Sequence, residues 1–494
     1  MHALRRLALT SLLASLPTLL VAAPAGAQES DAARLVTALL GETPVVRDAQ
    51  WLTDRIGGRV TGSQANLDGV AWALEAFESA GVPARREAFT MPARWLEQSA
   101  RALVRGDVEF AARVAAMPFS IGTPAGGITA RLVDGGRGSA ADFERLGAAV
   151  RGAFVLVETD ELVDVAGLFR EYVEATAIEA RAFERGVAGI IYMGSRPNNL
   201  LYRHNASRGS ANRHPLVVME RDAATRAMRL LRAGAKLSVT LHLTIEGGGP
   251  YESYNVIGEI KGTAQPEEIV IIGAHLDSWD IGTGALDNGG NVAMLIDIAR
   301  QIHRLGLRPR RTIRFALWNG EEQGLVGSWK YVEQHRSELD RVVMASSYDI
   351  GTGRIAGFFT GGRPEIVTAV DQALAPIAGL GPFQQIDVPI VGTDNFDFMM
   401  EGIANLVANQ ESANYGPNYH ARSDTFDRID VRQLKLNAAI AAAVTWGSAN
   451  MDVTWQRQSR DEVERLVAAT DLEAQMRSLG VWEDWAAGRR GRQP

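Results

Sequence analysis

The sequence predicts an α/β protein built on a mainly parallel, mixed sheet with helices on both faces, together with an inserted, smaller β-rich domain. Beyond residue 250, short apolar runs alternate with helical patterns, which is typical of a parallel sheet covered on both faces. Between residues 95 and 245, short apolar strands separated by turns predominate instead. A chain of 494 residues with 46% hydrophobic side chains is long enough to form two or three cores.

Residues 1–27 have the pattern of a secretory signal peptide. Arg5 and Arg6 precede an apolar run, and the segment ends in the small-x-small pattern Ala25-Gly26-Ala27. We therefore expect an exported protein, periplasmic or secreted, with no membrane span once the signal is cleaved. The alternative, a membrane anchor, is disfavoured because the apolar run is short and is interrupted by two prolines.

The composition of the remaining chain limits its partners and the chemistry of any metal site. Removing residues 1–27 removes two arginines and no acid, so the formal charge changes from −7 to −9. A mildly acidic surface argues against a nucleic-acid partner. Because there is no cysteine, a metal ion would be bound by His, Asp and Glu alone. Oxygen-rich sites without thiolates suit catalytic metals better than closed structural ones.

Residues 28–94 are predicted to form an N-terminal helical part of the main domain, including a helix from Gln64 to Ala80. The glycine-rich turn before this helix, Gly57 to Ser63, lacks the ending of a phosphate-binding loop. In the inserted domain, residues 95–245, we expect strands at Ile128–Val133, Ala153–Glu158, Gly189–Met193, Leu216–Met219 and Leu237–Leu243, and one helix at Tyr172–Arg185. His204 and His214 fall in a polar loop of that domain and are interpreted as surface histidines.

Residues 246–450 are predicted to form the main α/β domain, and residues 451–494 a helical tail. The predicted strands of the main domain are Ile269–Ala274, Thr312–Trp318, Val342–Tyr348 and Ile403–Ala408. Its predicted helices are Val292–His303, Val326–His335 and Val431–Trp446. The tail has helical periodicity from Val463 to Leu479, and its basic end, Arg489 to Arg492, is expected to be solvated.

Side chains that bind metals follow these predicted strands. They are His275 after the first strand, Asp287 before the next helix, Glu321 and Glu322 after the second strand, Asp349 after the third, and His420 in a polar loop before the last helix. Because functional residues gather at the carboxyl ends of parallel strands, we expect these side chains to lie close together. Imidazoles and carboxylates around a free carboxylate are what a two-metal hydrolase needs.

The residues alone leave several roles open. His275 and Asp277 point the same way on an extended backbone, so Asp277 can accept a hydrogen bond from the ring nitrogen that does not bind metal. Of Glu321 and Glu322, one is expected to bind metal and the other to act as a general base. The alternatives are ordinary surface roles, namely helix capping for Asp287 or Asn288 and a surface cap for Asp349. Asp280 is interpreted as a solvated acid.

The sequence also carries a family resemblance. The segments concerned are AHLDSWDIGTGALDNGG, WNGEEQGLVGSW, YDIGTG, GTDNFDF and NYHARSDT. In order, spacing and flanking residues they resemble the co-catalytic zinc peptidases of metallopeptidase clan MH, family 28, over roughly residues 251–446. HLDSWD and GLRPRRTIRFALWNGEEQG look most like the carboxypeptidase Q branch of that family. The inserted domain more weakly resembles the protease-associated domain that many members carry.

The resemblance implies the zinc exopeptidase fold, two zinc ions and the hydrolysis of peptides by zinc-activated water. It implies that His275 and Asp349 bind one zinc ion, that Glu322 and His420 bind the other, that Asp287 bridges both, that Glu321 is the general base, and that Asp277 supports His275. A cis peptide bond is expected between Asp287 and Asn288. Tyr419 is assigned to the oxyanion because it adjoins His420.

The resulting hypothesis is an exported di-zinc exopeptidase that acts on dipeptides or short peptides. An aminopeptidase of the same family is the main alternative, because the sequence does not settle which substrate terminus is bound. Glutaminyl cyclases have a simpler zinc site, and a catalytically inactive binding protein would have lost ligands, so the complete ligand set disfavours both. The resemblance also suggests a homodimer.

Overall fold

The computed structural model of the protein describes residues 30–163 and 165–493, and the expected signal peptide, residues 1–27, lies outside the described residues. In chain order the strands are β1 (Ala84–Met91), β2 (Arg94–Gly106), β3 (Phe110–Ala112), β4 (Val114–Ala116), β5 (Ile128–Asp134), β6 (Phe154–Val157), β7 (Gly189–Met193), β8 (Leu216–Met219), β9 (Leu237–Gly248), β10 (Tyr251–Ile260), β11 (Gln265–His275), β12 (Arg311–Trp318), β13 (Val342–Ser347), β14 (Ile355–Phe359) and β15 (Asn405–Gln410).

The α-helices are α1 (Asp31–Leu40), α2 (Val45–Trp51), α3 (Gln64–Ser79), α4 (Ala140–Leu146), α5 (Val165–Glu184), α6 (Arg221–Arg232), α7 (Gly290–Arg304), α8 (Val326–Gln334), α9 (Pro364–Leu374), α10 (Asn395–Met400), α11 (Tyr415–Asn418), α12 (Val431–Asn450), α13 (Arg460–Ala469), α14 (Leu472–Ser478) and α15 (Trp482–Ala486). Within residues 30–163 and 165–493, no helix has the length and apolar character that crossing a bilayer requires.

The first sheet has seven strands in the order β1-β10-β12-β11-β13-β15-β14. Its four central strands, β12, β11, β13 and β15, are parallel, and the outer pairs are antiparallel. Along β11, Val270 and Ile272 pack on the face covered by α1, α3, α7 and α12, whereas Ile269 and Ile271 pack on the opposite face with α8 and α10. The sheet is therefore buried on both faces, as the continuous apolar runs predict.

The second lobe, defined here as residues 94–248, leaves the first sheet after β1 and returns to it at β10. The rest of the described chain is the first lobe. The second lobe contains an eight-stranded sheet in the order β3-β2-β9-β5-β6-β7-β8-β4. Strands β5 to β8 are parallel, with α4 and α5 connecting β5, β6 and β7 and a long loop connecting β7 to β8, and β2 and β9 form a long antiparallel ribbon. The helical content makes this lobe a mixed α/β unit, with α6 on one face and α4 and α5 on the other.

The predicted N-terminal helical part, residues 28–94, also contains a strand, β1. This strand lies at the edge of the first sheet, and of its eight residues only Phe89 and Met91 are buried. An edge strand with mostly solvated side chains lacks the apolar alternation that identifies strands in sequence. The predicted helix from Val463 to Leu479 is likewise two helices, α13 and α14, separated at Thr470.

The prediction of a solvated basic end is wrong at Arg490, which is buried against α8 and α10. Its guanidinium donates to both carboxylate oxygens of Asp397 in α10, at 2.7 and 2.8 Å. It also lies over the rings of Trp329 and Phe396. A buried carboxylate requires a charged or hydrogen-bonding partner, and here the chain end supplies it.

Arg490→Met is expected to lower the free energy of unfolding by about 3–5 kcal/mol, because it leaves Asp397 buried without its charged partner. Chemical denaturation of the whole chain measures this loss. The matched control is Arg489→Met, whose side chain is 60% exposed and pairs with Asp484, so the expected loss is about 1 kcal/mol or less. Equal losses for the two variants would contradict the structural role of Arg490.

Candidate active site

The predicted metal ligands lie along the carboxyl edge of the four parallel strands. His275 is the last residue of β11, Asp349 lies two residues beyond β13, and Glu322 lies four residues beyond β12. His420 lies in the loop after β15, beyond α11. Because these strands are neighbours in the sheet, residues that are far apart in sequence meet at one edge.

Five side chains form two clusters that share Asp287. The Nε2 atom of His275 lies 3.0 Å from Oδ1 of Asp287 and 2.8 Å from Oδ1 of Asp349. The Nε2 atom of His420 lies 3.3 Å from Oδ2 of Asp287 and 2.9 Å from Oε2 of Glu322. In each cluster the three candidate ligand atoms lie within 4.8 Å of one another, and all five side chains are buried. The two oxygens of Asp287 thus face different clusters.

Asp287 is fixed by the loop between β11 and α7. The carboxylate of Asp424 accepts hydrogen bonds from three successive main-chain N–H groups, Ala285 to Asp287, at 3.1, 2.6 and 3.2 Å. The peptide bond between Asp287 and Asn288 is cis, as expected. The Asn288 side chain donates to Oδ1 of Asp349 at 2.9 Å. Asp287 and Asn288, which are consecutive in the chain, therefore both contact the cluster of His275 and Asp349.

The glycine-rich turn Gly57 to Ser63 supports the same loop from the N-terminal part of the chain. Arg59 is fully buried, and it donates to the carbonyl oxygens of Leu276, Thr283 and Gly284 at 2.8, 2.8 and 2.9 Å. Arg59 therefore fixes the main chain of this loop and donates no hydrogen bond to a candidate metal ligand. The sequence contains no signal for this role, because a lone arginine after a glycine pair is an ordinary surface pattern.

The second ring nitrogen of His275, Nδ1, is directed to Asp277, as expected, but its nearer acceptor is the main chain. It lies 2.9 Å from the Asp277 carbonyl oxygen and 3.7 Å from the carboxylate. The reason is that β11 ends at His275, so the alternation of an extended strand does not continue to Asp277. The Asp277 carboxylate instead accepts from the Thr61 hydroxyl at 2.9 Å and from the Glu321 N–H at 3.4 Å.

The adjacent glutamates occupy different environments. Glu322 is buried and belongs to the cluster with His420. Glu321 is half-buried and lies outside both clusters, and within the described part of the chain its carboxylate makes no hydrogen bond or ion pair. Burial and the negative charge of Asp349 raise the pKa of Glu321 well above its ordinary value. A free carboxylate with a raised pKa suits a proton acceptor.

The buried carboxylates of the site carry negative charge that positively charged metal ions would compensate. Burial and the charge of Asp287 raise the pKa of Glu322 to about 7. Burial lowers the pKa of His420, but the charges of Glu322 and Asp287 and their hydrogen bonds with the ring together outweigh it and raise that pKa to about 9. Oε1 of Glu322 is buried and has no hydrogen-bond partner among the described residues. Buried carboxylate oxygens and imidazole nitrogens facing one another are the donor set that zinc prefers.

The structure adds residues that the sequence analysis did not single out. The Tyr415 hydroxyl donates to Oδ2 of Asp287 at 3.2 Å. Asp394 is a buried carboxylate, and its charge contributes to the raised pKa of Glu321. Asp394 belongs to the GTDNFDF segment of the resemblance, which was the available signal. Tyr419, which the sequence did single out, stacks on the His420 ring with a centroid distance of 3.6 Å.

The prediction of a surface histidine is wrong at His204. His204 is 3% exposed and stacks on Tyr172, and burial lowers its pKa to about 4. His204 is buried because its loop packs against the loop of His420. Asp280 is exposed, as predicted, and accepts two hydrogen bonds, both at 2.9 Å, from buried Arg203. His214, by contrast, is partly exposed.

Two clusters of buried ligands with a free carboxylate beside them, at the carboxyl edge of a parallel sheet, define a metal-dependent hydrolase. The family model Peptidase_M28, described as peptidase family M28, matches residues 255–445, which contain all five candidate ligands. Carboxypeptidase Q of Rattus norvegicus is 30% identical over 340 residues, which cover 67% of this chain and 70% of the rat protein. The chain belongs to peptidase family M28.

Solved structures show the same fold. A peptidase M28 precursor from Shewanella amazonensis is 27% identical, with a TM-score of 0.78 over 87% of this chain and 98% of that one. BSAP, a zinc aminopeptidase from Bacillus subtilis, is 20% identical, with a TM-score of 0.66 over 84% of this chain and 96% of that one. The family and the site together make this chain a zinc metallo-exopeptidase.

Proposed function

We propose that this chain is an exported exopeptidase that hydrolyses dipeptides or short peptides with two zinc ions. The observation that supports the proposal most directly is the sharing of Asp287, whose two oxygens face two separate clusters of buried ligands. A single-metal site would need only one such cluster. The likeness to carboxypeptidase Q favours cleavage of the carboxypeptidase type.

In this proposal His275 and Asp349 hold one zinc ion, Glu322 and His420 hold the other, and Asp287 serves both. When bound, zinc supplies Lewis-acid chemistry, lowering the pKa of water towards about 7 and polarising a carbonyl oxygen. The protein contributes by fixing the ligands. Asp424 holds the loop of Asp287 through three main-chain N–H groups, and the Asp277 carbonyl fixes the ring orientation of His275.

Glu321 moves the proton in the proposed reaction. It accepts a proton from the attacking water as the new C–O bond forms, and it returns that proton to the amine nitrogen as the C–N bond breaks. Its backbone is fixed for this role. The Glu321 N–H donates to the Asp277 carboxylate at 3.4 Å, and the preceding Gly320 N–H donates to the Thr61 hydroxyl at 3.0 Å.

Tyr419 is proposed to stabilise the oxyanion. The Tyr415 hydroxyl already bonds Asp287, which leaves Tyr419 as the available phenol beside His420. The Tyr419 hydroxyl lies 3.3 Å from the Tyr172 hydroxyl, and either atom can be the donor. Because the Tyr172 hydroxyl can donate as well as accept, this contact holds the Tyr419 phenol in place and leaves the Tyr419 hydrogen available for the oxyanion.

Tyr419→Phe is expected to lower turnover by roughly 10²–10³-fold, the effect of removing one oxyanion donor, while zinc content stays unchanged. Steady-state kinetics and metal analysis of the same preparation measure both quantities. The matched control is Tyr415→Phe, which removes a hydrogen bond to Asp287 and is expected to weaken zinc binding instead. Unchanged turnover in Tyr419→Phe would remove the oxyanion role.

The proposed function is tested with a panel of free dipeptides and their N-blocked and C-blocked forms. The protein is stripped with a chelator and assayed with and without added zinc. We expect zinc-dependent hydrolysis of free dipeptides that C-blocking abolishes and N-blocking spares. Loss on N-blocking alone would assign an aminopeptidase, and no zinc-dependent hydrolysis of any member would overturn the proposal. Light scattering of the same sample tests the homodimer that the resemblance suggests.

A further inference from the structure

A loop of the second lobe, residues 201–205, lies directly beside the candidate metal centre. This loop runs antiparallel to the loop that contains His420. The Arg203 N–H donates to the His420 carbonyl oxygen and the Arg422 N–H donates to the Leu201 carbonyl oxygen, both at 3.0 Å. Tyr202 and Ala421 form an isolated antiparallel bridge between these hydrogen bonds. The two lobes are therefore joined by main-chain hydrogen bonds directly beside a candidate ligand.

The loop fixes the imidazole of His420. Nδ1 of His420 lies 3.2 Å from the Arg203 carbonyl oxygen, so Nδ1–H donates there and Nε2 presents its lone pair to Asp287 and Glu322. His420 also has a φ of +54°, a left-handed conformation that a residue with a Cβ keeps only where its surroundings hold it. The hydrogen bonds with Arg203 hold both its backbone and its ring.

The same loop supports the second member of that cluster. The side-chain amide of Asn205 donates to the main-chain carbonyl oxygen of Glu322 at 2.7 Å. Within residues 30–163 and 165–493, the Oδ1 atom of Asn205 is buried without a hydrogen-bond partner, so the donated bond is the one polar contact of this amide. Asn205 therefore fixes the turn that presents Glu322.

The loop is anchored by the side chain of Arg203. The guanidinium is 2% exposed and forms ion pairs with Glu97 of β2, at 2.7 Å, and with Asp280 of the first lobe, at 2.9 Å. It also donates to the Ala116 carbonyl oxygen at 2.8 Å. One buried cation thus ties the loop to strands of its own lobe and to the segment that follows His275.

The other cluster is supported by the first lobe. Nδ1 of His275 is bonded to the Asp277 carbonyl, and Asp349 accepts from the Asn288 side chain. Both of these partners belong to the first lobe. The two clusters therefore differ in their dependence on the second lobe, although they share Asp287.

We propose that the loop 201–205 is a positioning element for one of the two metal positions, the one formed by Asp287, Glu322 and His420. The second lobe thereby controls the occupancy of that position and leaves the position of His275 and Asp349 to the first lobe. This inference rests on the proposed two-zinc site. Outer partners of metal ligands typically contribute roughly 10–100-fold to metal affinity, which is the effect expected from this loop.

The test is Asn205→Ala in the full chain, with zinc affinity measured by competition against a chromophoric chelator. We expect one of two zinc ions to bind roughly 10–100-fold more weakly and the other to bind as in the parent. The matched control is Asn212→Ala, which removes a buried amide that donates to two carbonyl oxygens within the second lobe. This control is expected to change thermal stability but neither zinc affinity.

Two further backgrounds identify the affected position. In Asp349→Ala, the remaining zinc ion depends on Glu322 and His420. Adding Asn205→Ala is expected to lower the affinity for that ion by the same factor. In Glu322→Gln, where the remaining zinc depends on His275 and Asp349, adding Asn205→Ala is expected to have no effect. Equal weakening in both backgrounds, or unchanged zinc binding in Asn205→Ala, would overturn the inference. A parent protein that binds fewer than two zinc ions would instead overturn the proposed function.

Discussion

Glu321→Gln is expected to retain zinc and to lose turnover by roughly 10²–10⁴-fold, the usual contribution of a general acid–base residue. Glu321 belongs to neither ligand cluster, and its carboxylate makes no contact with the described residues that the amide would disturb. Gln has the same shape but cannot accept a proton from water at neutral pH. Single-turnover assays and metal analysis of one preparation measure the two effects.

The adjacent residue is the matched control for this prediction. Glu322→Gln removes a carboxylate that lies 2.9 Å from Nε2 of His420, so zinc binding itself is expected to weaken. Added zinc is expected to restore part of the turnover of Glu322→Gln and none of the turnover of Glu321→Gln. If both variants lost zinc to the same extent, the division of roles between the two glutamates would be wrong.

Asp287→Ala is expected to weaken zinc binding at both positions, because its two oxygens face different clusters. The loss at each position is expected to exceed the roughly 10–100-fold that removal of an outer partner costs. Turnover is expected to fall below detection at ordinary zinc concentrations. Chelator competition with the purified variant measures the affinity at each position.

Asp349→Ala is the comparison for the bridging residue, since Asp349 belongs to one cluster. It is expected to lower the affinity for one zinc ion and to leave the affinity for the other close to that of the parent. A circular dichroism spectrum like that of the parent is required of both variants. Loss of only one zinc ion in Asp287→Ala would show that Asp287 does not serve both positions.

The candidate ligands were predictable from sequence because metal chemistry restricts the residue types and the parallel sheet restricts their places. His275 follows a run of buried apolar residues, and Asp349 follows another, so each strand end is visible without knowledge of the fold. The central strands β11, β12 and β13 were found for the same reason. Family resemblance then assigned the separate roles of Glu321 and Glu322, which the residues alone left open.

The supporting residues were not predictable in this way, because they are polar side chains whose burial depends on distant contacts. Arg59 bonds the carbonyl oxygen of Leu276 across 217 positions of sequence, and Arg203 bonds Asp280 across 77 positions. A buried arginine and a solvated one look alike in sequence. The same limitation explains the errors at His204 and Arg490, each of which lies where separate parts of the chain meet.

The relation of the second lobe to the protease-associated domain stays a prediction. The structure shows that the lobe is inserted between β1 and β10 and that it is a mixed α/β unit. The family match begins at residue 255, after the lobe has ended. The contacts of residues 201–205 give the lobe a role that its sequence alone does not indicate.

The buried position of Arg59 has a consequence for the order in which the molecule is assembled. Its partners, Leu276, Thr283 and Gly284, are synthesised only after the whole second lobe. The Asp424 carboxylate that completes the same loop comes later still. Closing contacts over such separations is slow compared with forming local structure. We therefore expect zinc to bind late in the maturation of this chain, after these distant segments have come together.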